Sequence, residues 1–484
     1  MIRRLLGVAF ALSLLNVFHA ALPVFADTPL ANRDPRSMTF EPVKIPTPNA
    51  ERVVLQNGIV VYLLPDVELP LVTVSAMFRT GSIYEPPDKV GLAELTGTLM
   101  RTGGTNKMTG DQVDETLEYL AANVSIGIGV ESGGAGLDIL KKDFPLGLAV
   151  FADLIRRPAF DSAKLERAKH QALEAIRRRN DNPAGITGRE FRKLLYGADH
   201  PFGRESTTAT VSRITRDDLV AFHRTYVTPT GLILAVSGDF DKQQMLMALR
   251  QAFGDWPVRP LRLPIIPPPT PAVSEAGNSV FIVPRNLTQT HLRIGQLSVR
   301  ENDPDYFALA LLDDILGGNS FTSRLFRDVR NRQGLAYSVG SALRPGHVVP
   351  GAFLIHALTR APATYQALNS VLEQFSRLSK EPVSDLELQL AKDAFLNSFV
   401  FSFADAGQVV SRLMELEYYG LPPDFLQQFR EGIIRLTKED LLRVARKHLD
   451  PKRLIILAVG KAEDFEKPLT AFGQVTILSP KPGG

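Results

Sequence analysis

Residues 214–238 read ITRDDLVAFHRTYVTPTGLILAVSG, and residues 436–460 read LTKEDLLRVARKHLDPKRLIILAVG. The two stretches align without a gap at an offset of 222 residues, with Thr215 opposite Thr437 and Gly238 opposite Gly460. Each pattern predicts a threonine N-cap with acidic residues in the first turn, a helix, a proline turn and an apolar strand. Because this unit occurs once in each half, and the period is far too long for a solenoid, the sequence predicts a duplicated domain.

A proline-rich segment separates the two halves. Residues 257–271 read PVRPLRLPIIPPPTP, and proline, which lacks the N–H and fixes φ, is excluded from helices and central strands. We therefore expect a stiff linker over residues 257–278. The linker divides the chain into an N-terminal domain, 45–256, and a C-terminal domain, 279–475.

Strand and helix patterns are mixed within the first half. Residues 52–66 hold an Asn-Gly turn between apolar runs, which predicts a hairpin, and residues 71–82 alternate like a strand. Helical patterns follow at 91–103, 144–160 and 161–183. Runs of strands followed by runs of helices favour an α+β fold over a doubly wound α/β fold. The predicted fold is thus two homologous α+β domains, each a mixed sheet packed with helices.

Composition excludes several functional classes. The chain has 484 residues, 44% of them apolar, and a net charge of only +3, so it can bury a large core and shows no overall bias toward nucleic acid. It contains no cysteine, which excludes disulfides, iron–sulfur clusters, thiolate nucleophiles and cysteine-ligated zinc.

The N-terminus has the layout of a secretory signal. Arg3 and Arg4 precede an apolar run, and small residues lead to a predicted cleavage site after Ala26. The alternative is a membrane anchor, although the apolar stretch is short for a span, and no later segment has the roughly 18 apolar residues that a span needs. We expect a signal peptide at 1–26 and a bacterial periplasmic protein with no membrane association after cleavage.

Five stretches of the chain are distinctive: FRTGSIYEPPDKVGLAELTGTLMRTGGT (78–105), FADLIRRPAF (151–160), LERAKHQALEAIRRRNDNP (165–183), HPFG (200–203) and GGNSFTSRLFRDVRNRQGLAYSVGS (317–341). They resemble the pitrilysin, insulinase and mitochondrial processing peptidase family of zinc metallopeptidases. The resemblance covers about residues 45–470 and includes the division into two halves. It implies a clam-shell chamber, of which this chain would form half.

The zinc motif of that family is degenerate in this chain. Active members carry H-x-x-E-H on a helix, where two histidines one turn apart bind zinc and the glutamate activates water. Here the first histidine position holds Glu94, the general-base position Gly97 and the second histidine position Thr98. By the resemblance, Glu174 stands at the position of the distant third ligand. We expect no zinc on this chain.

Two alternatives remain open at this site. Glu94 and Glu174 offer oxygen atoms to a hard cation, although two carboxylates without imidazole make a weak zinc site. Alternatively, Glu174 is simply a carboxylate on a helix surface. The other histidines of the mature chain show no i, i+3 or i, i+4 pairing that would replace the ligands: His170, His200, His223, His291, His347, His356 and His448.

The second half keeps a different part of the family's site. Arg330 is predicted to end a helix and Tyr337 to begin the next strand, and family members use an arginine and a tyrosine at these places to hold the substrate. An arginine fork suits a peptide carbonyl or carboxylate, and a tyrosine hydroxyl can donate to an oxyanion. Without the resemblance, the two would be a solvated cation and a half-buried strand aromatic.

These features predict a non-catalytic, substrate-binding subunit of a periplasmic zinc endopeptidase. A homologous partner with an intact H-x-x-E-H motif would supply zinc and the base, while this chain would contribute Arg330 and Tyr337 to peptide binding. One competing hypothesis is a structural or binding scaffold without a proteolytic role. A self-sufficient peptidase with an unusual metal site is a further one, which the lost base opposes. An adjacent reading frame that encodes H-x-x-E-H would favour the first hypothesis.

Overall fold

The structure is a computed structural model that describes residues 50–273, 277–319, 321–399, 403 and 405–480. The signal peptide predicted at 1–26 lies outside the described residues. The described chain contains two six-stranded mixed sheets, one from each half of the sequence.

The first sheet has the strand order β1-β2-β6-β3-β5-β4. Only β2 and β6 are parallel neighbours, and β4 forms one edge. The hairpin predicted around the Asn-Gly turn is confirmed, because β1 and β2 pair antiparallel with Val54 opposite Val60. The strands are β1 Glu51–Val54, β2 Val60–Pro65, β3 Leu71–Phe78, β4 Asn123–Ile128, β5 Gly133–Leu140 and β6 Leu232–Gly238.

The second sheet repeats this arrangement with the order β12-β7-β11-β8-β10-β9. Strand β11 is central and parallel to β7, as β6 is to β2, and β9 lies at the edge that corresponds to β4. The strands are β7 Ser279–Pro284, β8 Gln289–Leu297, β9 Ala336–Arg344, β10 Ala352–Arg360, β11 Ile455–Gly460 and β12 Gln474–Ile477. The fold class predicted from the sequence is therefore confirmed.

Helices follow the strands in both halves. In the first half they are α1 Leu92–Thr102, α2 Gly110–Tyr119, α3 Phe144–Arg156, α4 Ser162–Arg178, α5 Pro183–Tyr196, α6 Thr208–Arg213, α7 Arg216–Tyr226 and α8 Lys242–Phe253. In the second half they are α9 Tyr306–Asp313, α10 Thr364–Lys380, α11 Asp385–Phe399, α12 Ala406–Tyr419, α13 Phe425–Arg435 and α14 Lys438–His448. Two π-helical turns, Asp314–Gly318 and Phe326–Arg332, lie between β8 and β9.

The repeated sequence unit forms the same structure twice. Helices α7 and α14 both begin with a capping box, in which Thr215 pairs with Asp218 and Thr437 pairs with Asp440. The strands that follow, β6 and β11, are almost completely buried, as expected for central strands covered on both faces. The local pattern in the sequence therefore identified the centre of each sheet.

Each sheet is covered on one face by a helix from the other half. Helix α5 of the first half packs Ile186, Phe191 and Leu195 against β11 and neighbouring strands of the second sheet. Helix α12 of the second half packs Val410 and Met414 on β2 and β6 of the first sheet. Each half has a hydrophobic core of its own, and two further clusters combine residues of both halves.

Between the sheets, the described part of the proline-rich segment, residues 257–273, contains no helix or strand. Among the helices formed by the described residues, none combines the length and apolar character needed to cross a bilayer.

Candidate functional site

Helix α1 presents the two predicted histidine positions of the zinc motif on the face that points away from the core. Glu94 and Thr98 are exposed and lie one turn apart, while Leu95, Gly97 and Leu99 are buried. Positions i and i+4 lie on the same face of a helix. The two histidine positions of the motif therefore still project together, as the resemblance implied, but they hold a carboxylate and a hydroxyl.

A cleft of about 260 Å³ separates this face of α1 from α4. We call it the α1–α4 cleft; the side chains that define it are Glu94, Thr98, Ala168, Gln171, Ala172 and Ala175. Glu174 is not among its lining residues. Its carboxylate forms an exposed ion pair with Arg177, at 3.1 Å.

Of the two alternatives for Glu174, the structure contains the carboxylate on the helix surface. Successive residues of a helix are rotated by about 100°, and it is Ala175 that lines the cleft. Glu94 is then the only carboxylate among the described residues that line the cleft, and no imidazole is among them. Such a set does not fit zinc, which takes three or four nitrogen, sulfur or oxygen ligands from the protein.

Gly97, at the position of the lost base, is where α1 touches the edge strand β4. A Cβ atom built on Gly97 would lie 2.7 Å from the backbone nitrogen of Ile128 and 3.0 Å from Gly127. Real Cβ atoms do not approach backbone this closely, so no side chain fits at position 97 without movement of α1 or β4. Helix α1 is therefore in close contact with strand β4 at the position where the family's motif places the base.

One other group of possible metal ligands occurs in the described chain, formed by Asp303, Asp305 and His448 in the second half. Asp305 already accepts hydrogen bonds from Lys447 at 2.6 Å and from His448 at 2.8 Å. It also pairs with Arg443. Burial raises the pKa of Asp305, but the hydrogen bonds from these three side chains outweigh it and lower the pKa to about 2. The group is a hydrogen-bonded cluster that ties α14 to the start of α9.

Arg330 and Tyr337 are brought together in the second half. Arg330 lies in the π-helical turn Phe326–Arg332, and Tyr337 is the second residue of the edge strand β9. The Arg330 guanidinium carbon is 5.6 Å from the centre of the Tyr337 ring and 4.7 Å from that of Phe326. These are cation–π distances, so the two aromatic rings help to orient the arginine.

This pair faces solvent and is not part of the core. The Tyr337 side chain is 76% exposed, and Arg330 is exposed as well. Phe321, also largely exposed, packs edge-to-face on Phe326. An exposed tyrosine hydroxyl beside a guanidinium offers hydrogen-bond donors to an approaching peptide, with aromatic surface next to them.

A second cavity, which the sequence did not predict, adjoins the α1–α4 cleft and measures about 430 Å³. We call it the arginine cavity because four arginines line it together with three glutamates: Arg179, Arg189, Arg192, Arg204, Glu85, Glu94 and Glu205. The density of arginine in residues 177–192 was a signal for it, but the folding of α4 against α5 was needed to place these side chains around one space.

His200 is held by hydrogen bonds in a turn and does not face the α1–α4 cleft. Its Nε2 lies 2.9 Å from the Pro267 carbonyl oxygen, and its Nδ1 accepts a hydrogen bond from the Phe202 amide. His200 therefore fixes the loop before α6 to the proline-rich segment.

Comparison with known proteins adds the family. Residues 61–194 match the family model described as Insulinase (Peptidase family M16), and residues 213–395 match the model described as Peptidase M16 inactive domain. An uncharacterized zinc protease of Mycobacterium tuberculosis is 30% identical over 327 residues, which cover 66% of this chain and 73% of that protein. An uncharacterized zinc protease of Streptomyces coelicolor is 25% identical over 419 residues, which cover 85% of this chain and 90% of that protein.

Solved structures with the same fold are also found. A crystal structure described as a peptidase M16 inactive domain from Pseudomonas fluorescens superposes with a TM-score of 0.77 at 28% identity, covering 85% of this chain and 98% of that one. A protease from Helicobacter pylori superposes with a TM-score of 0.75, and the superposition covers 85% of this chain and 100% of that one. At 18% identity, this second likeness concerns the fold alone.

Proposed function

Because the chain belongs to the peptidase M16 (insulinase) family, we propose that it is the non-catalytic, substrate-binding subunit of a periplasmic zinc endopeptidase. A homologous partner chain with an intact H-x-x-E-H motif would bind the zinc and supply the general base. This chain would bind the peptide substrate through Arg330 and Tyr337 and form half of the chamber around it.

The pairing of Arg330 with Tyr337 is the observation that carries this proposal. Both side chains are exposed at the edge strand β9, where an extended peptide can approach them. Arginine provides a rigid set of donors for a peptide carbonyl, and a tyrosine hydroxyl stabilises an oxyanion without adding a charge. A protein with a purely structural role does not need this exposed pair, which argues against the scaffold alternative.

The first half supports a non-catalytic role. Among the described residues that line it, the α1–α4 cleft has one carboxylate and no imidazole, which supports a supply of zinc ligands by another chain. Position 97 has no room for a base, which opposes a self-sufficient peptidase. The solved structure described as an M16 inactive domain is similar in fold.

Peptide hydrolysis by the reconstituted two-chain complex tests the proposal. Tyr337→Phe removes one hydrogen-bond donor and keeps the ring on which Arg330 rests. Loss of one such donor typically lowers kcat by about 100- to 1000-fold. Tyr119→Phe, at an exposed tyrosine of α2 in the first half, is the matched control and should leave the rate unchanged.

Arg330→Ala should raise KM as well as lower kcat, because a substrate clamp acts in both ground and transition states. Complex mass and zinc content are measured for each variant, so that a failure of assembly is recognised. If Tyr337→Phe and Arg330→Ala both form the complex and cleave at the wild-type rate, the subunit proposal is wrong and the scaffold becomes the better hypothesis.

A further inference from the structure

The charges around the arginine cavity are unevenly paired. Arg179 and Arg189 both pair with the buried carboxylate of Glu205, at 3.1 and 3.3 Å, and Arg189 lies 3.7 Å from a second buried carboxylate, Glu190. Lys193 contacts both carboxylates, so three cations face two anions here. These contacts hold α4, α5 and the following loop together, and they leave this wall of the cavity with an excess of positive charge.

Arg192 and Arg204 form the less neutralised side of the cavity. Arg204 donates hydrogen bonds to the backbone carbonyls of Asp199, at 2.8 Å, and of Glu85, at 3.3 Å. Arg192 has no hydrogen bond or ion pair with the part of the chain that the structure describes, and its electrostatic interaction is with Tyr196. Arg192 is exposed and lines the cavity, so the protein presents this cation without supplying a counter-ion.

We infer that the arginine cavity binds a carboxylate group of a peptide, either its C-terminus or an Asp or Glu side chain. A guanidinium without a partner, beside other arginines in a cavity, best binds an anion that accepts two of its hydrogen bonds. The inference rests on the proposed function in taking a peptide as the ligand. It adds a subsite on the first half, separate from Arg330 and Tyr337 on the second.

The position of the cavity suits this role. It shares Gly91, Glu94 and Ala175 with the α1–α4 cleft, so a peptide lying in the cleft can reach it. Glu94 stands at the junction of the two spaces, and its negative charge opposes a bound carboxylate. Removing that charge should strengthen binding, whereas removing Arg192 should weaken it.

The test is calorimetric titration of the purified protein with three short peptides. The first is N-acetylated tetra-alanine with a free C-terminal carboxylate, the second is its C-terminal amide, and the third is an amide that contains one Glu. We expect the first or third peptide to bind at least about tenfold tighter than the second, as a charged hydrogen-bonded pair predicts. Comparison of the first with the third distinguishes a C-terminal carboxylate from a side-chain one.

Three variants accompany the titration. Arg192→Gln should weaken carboxylate binding by about tenfold or more, and Glu94→Gln should strengthen it several-fold. Arg224→Gln is the matched control, since Arg224 is an exposed arginine of α7 that does not line the cavity, and it should bind as wild type does.

Equal binding of all three peptides, no measurable binding of either carboxylate peptide, or wild-type affinity in Arg192→Gln would each overturn the inference. The proposed function fails separately. If the reconstituted complex cleaves amidated, uncharged peptides as well as acidic ones, and this cleavage depends on Tyr337, the carboxylate subsite is wrong and the peptidase subunit stands.

Discussion

At the scale of single residues, Glu85 caps the N-terminus of helix α1. Gly91, at the N-cap of α1, has no side chain to accept the first amides. The Glu85 carboxylate takes this role and accepts hydrogen bonds from the amides of Gly91, at 3.2 Å, and Ala93, at 2.5 Å. The residue is only 5% exposed. Burial raises its pKa to about 7, opposed by these hydrogen bonds and reinforced by Glu94.

This raised pKa predicts a loss of stability with rising pH. A carboxyl group whose pKa is higher in the folded protein contributes stability below its unfolded pKa, and this stability is lost as pH rises through the folded value. For Glu85 the window runs from about 4.5 to about 7. The full difference between these two pKa values corresponds to roughly 3 kcal/mol of unfolding free energy.

Glu85→Gln provides the check, because glutamine keeps an acceptor for the two amides and does not ionise. We expect chemical denaturation at pH 5 and pH 8 to show a smaller stability difference in the variant than in the wild type, by most of that amount. If the unfolding free energy depends on pH equally in the two proteins, the pKa of Glu85 is not raised by folding.

Glu174 shows where residue-level prediction stops. The sequence identified α4 and placed the ligand position within one residue, but the rotation between neighbours decides which side chain reaches the cleft. Ala175 lines it, and Glu174 pairs with Arg177 on the surface. Arg330 and Tyr337, by contrast, were placed together by the resemblance, and the geometry brings their side chains into contact.

At the scale of elements, the contact between α1 and β4 has a counterpart in the second half. There, Gly317 lies in the helical segment before β9, and a Cβ on it would collide with the backbone of Ser341 in that strand. In both halves, therefore, a glycine lets a helix rest on the edge strand. The first half has the same close contact as the half in which the family carries no zinc.

This contact predicts an unusual response to alanine. In an exposed helix, Gly→Ala stabilises by about 0.5–1 kcal/mol. Gly97→Ala should instead destabilise by about 1–3 kcal/mol or more, because its Cβ would meet the Ile128 backbone. Gly188→Ala in α5 is the matched control, since a Cβ there meets nothing within 4 Å, and it should be neutral or stabilising. Thermal unfolding of both variants decides the matter, and a stabilised Gly97→Ala would mean that α1 and β4 are not in tight contact.

The sequence predicted individual helices, strands and turns more fully than it predicted their packing. The Thr215 and Thr437 capping boxes, the hairpin at residues 51–65 and the central strands β6 and β11 all follow from local patterns. The exchange of α5 and α12 between the halves did not, because an amphipathic helix has the same periodicity whichever sheet it covers.

At the scale of the whole molecule, that exchange makes each half depend on the other. Helix α12 fixes itself to the first sheet through Glu417, which accepts hydrogen bonds from Tyr62, at 2.8 Å, and from Arg52, at 2.9 and 3.0 Å. Tyr418 also donates to the Phe78 carbonyl of β3. A half made alone would expose the apolar face that the other half's helix covers.

We therefore expect the fragment 45–256, expressed alone, to lack fixed tertiary packing. It should bind a hydrophobic dye and lose near-ultraviolet circular dichroism while keeping helical signal, since these are the marks of lost packing. The same measurements on the whole protein are the control. A fragment that unfolds cooperatively with a native-like near-ultraviolet spectrum would show that the halves fold independently.

The whole protein should also be indifferent to metal removal. The α1–α4 cleft lacks a ligand set that would couple zinc binding to folding, and the Asp305 cluster is already neutralised by cations of α14. We expect a chelator to leave the melting temperature unchanged and dialysed protein to hold no stoichiometric zinc. One tightly held zinc per chain, or a drop of several degrees on chelation, would refute this reading.

The closure at Gly97 has an evolutionary consequence. A lost catalytic group on an open surface can return by a single codon change. Here glutamate at position 97 would first have to push α1 off β4, while two histidines returned at positions 94 and 98 and a third ligand at position 175. Every intermediate in that series would carry the steric cost without the activity. If the chain is the non-catalytic subunit that we propose, Gly97 therefore opposes the return of the base, because a side chain at position 97 and the close packing of α1 on β4 exclude each other.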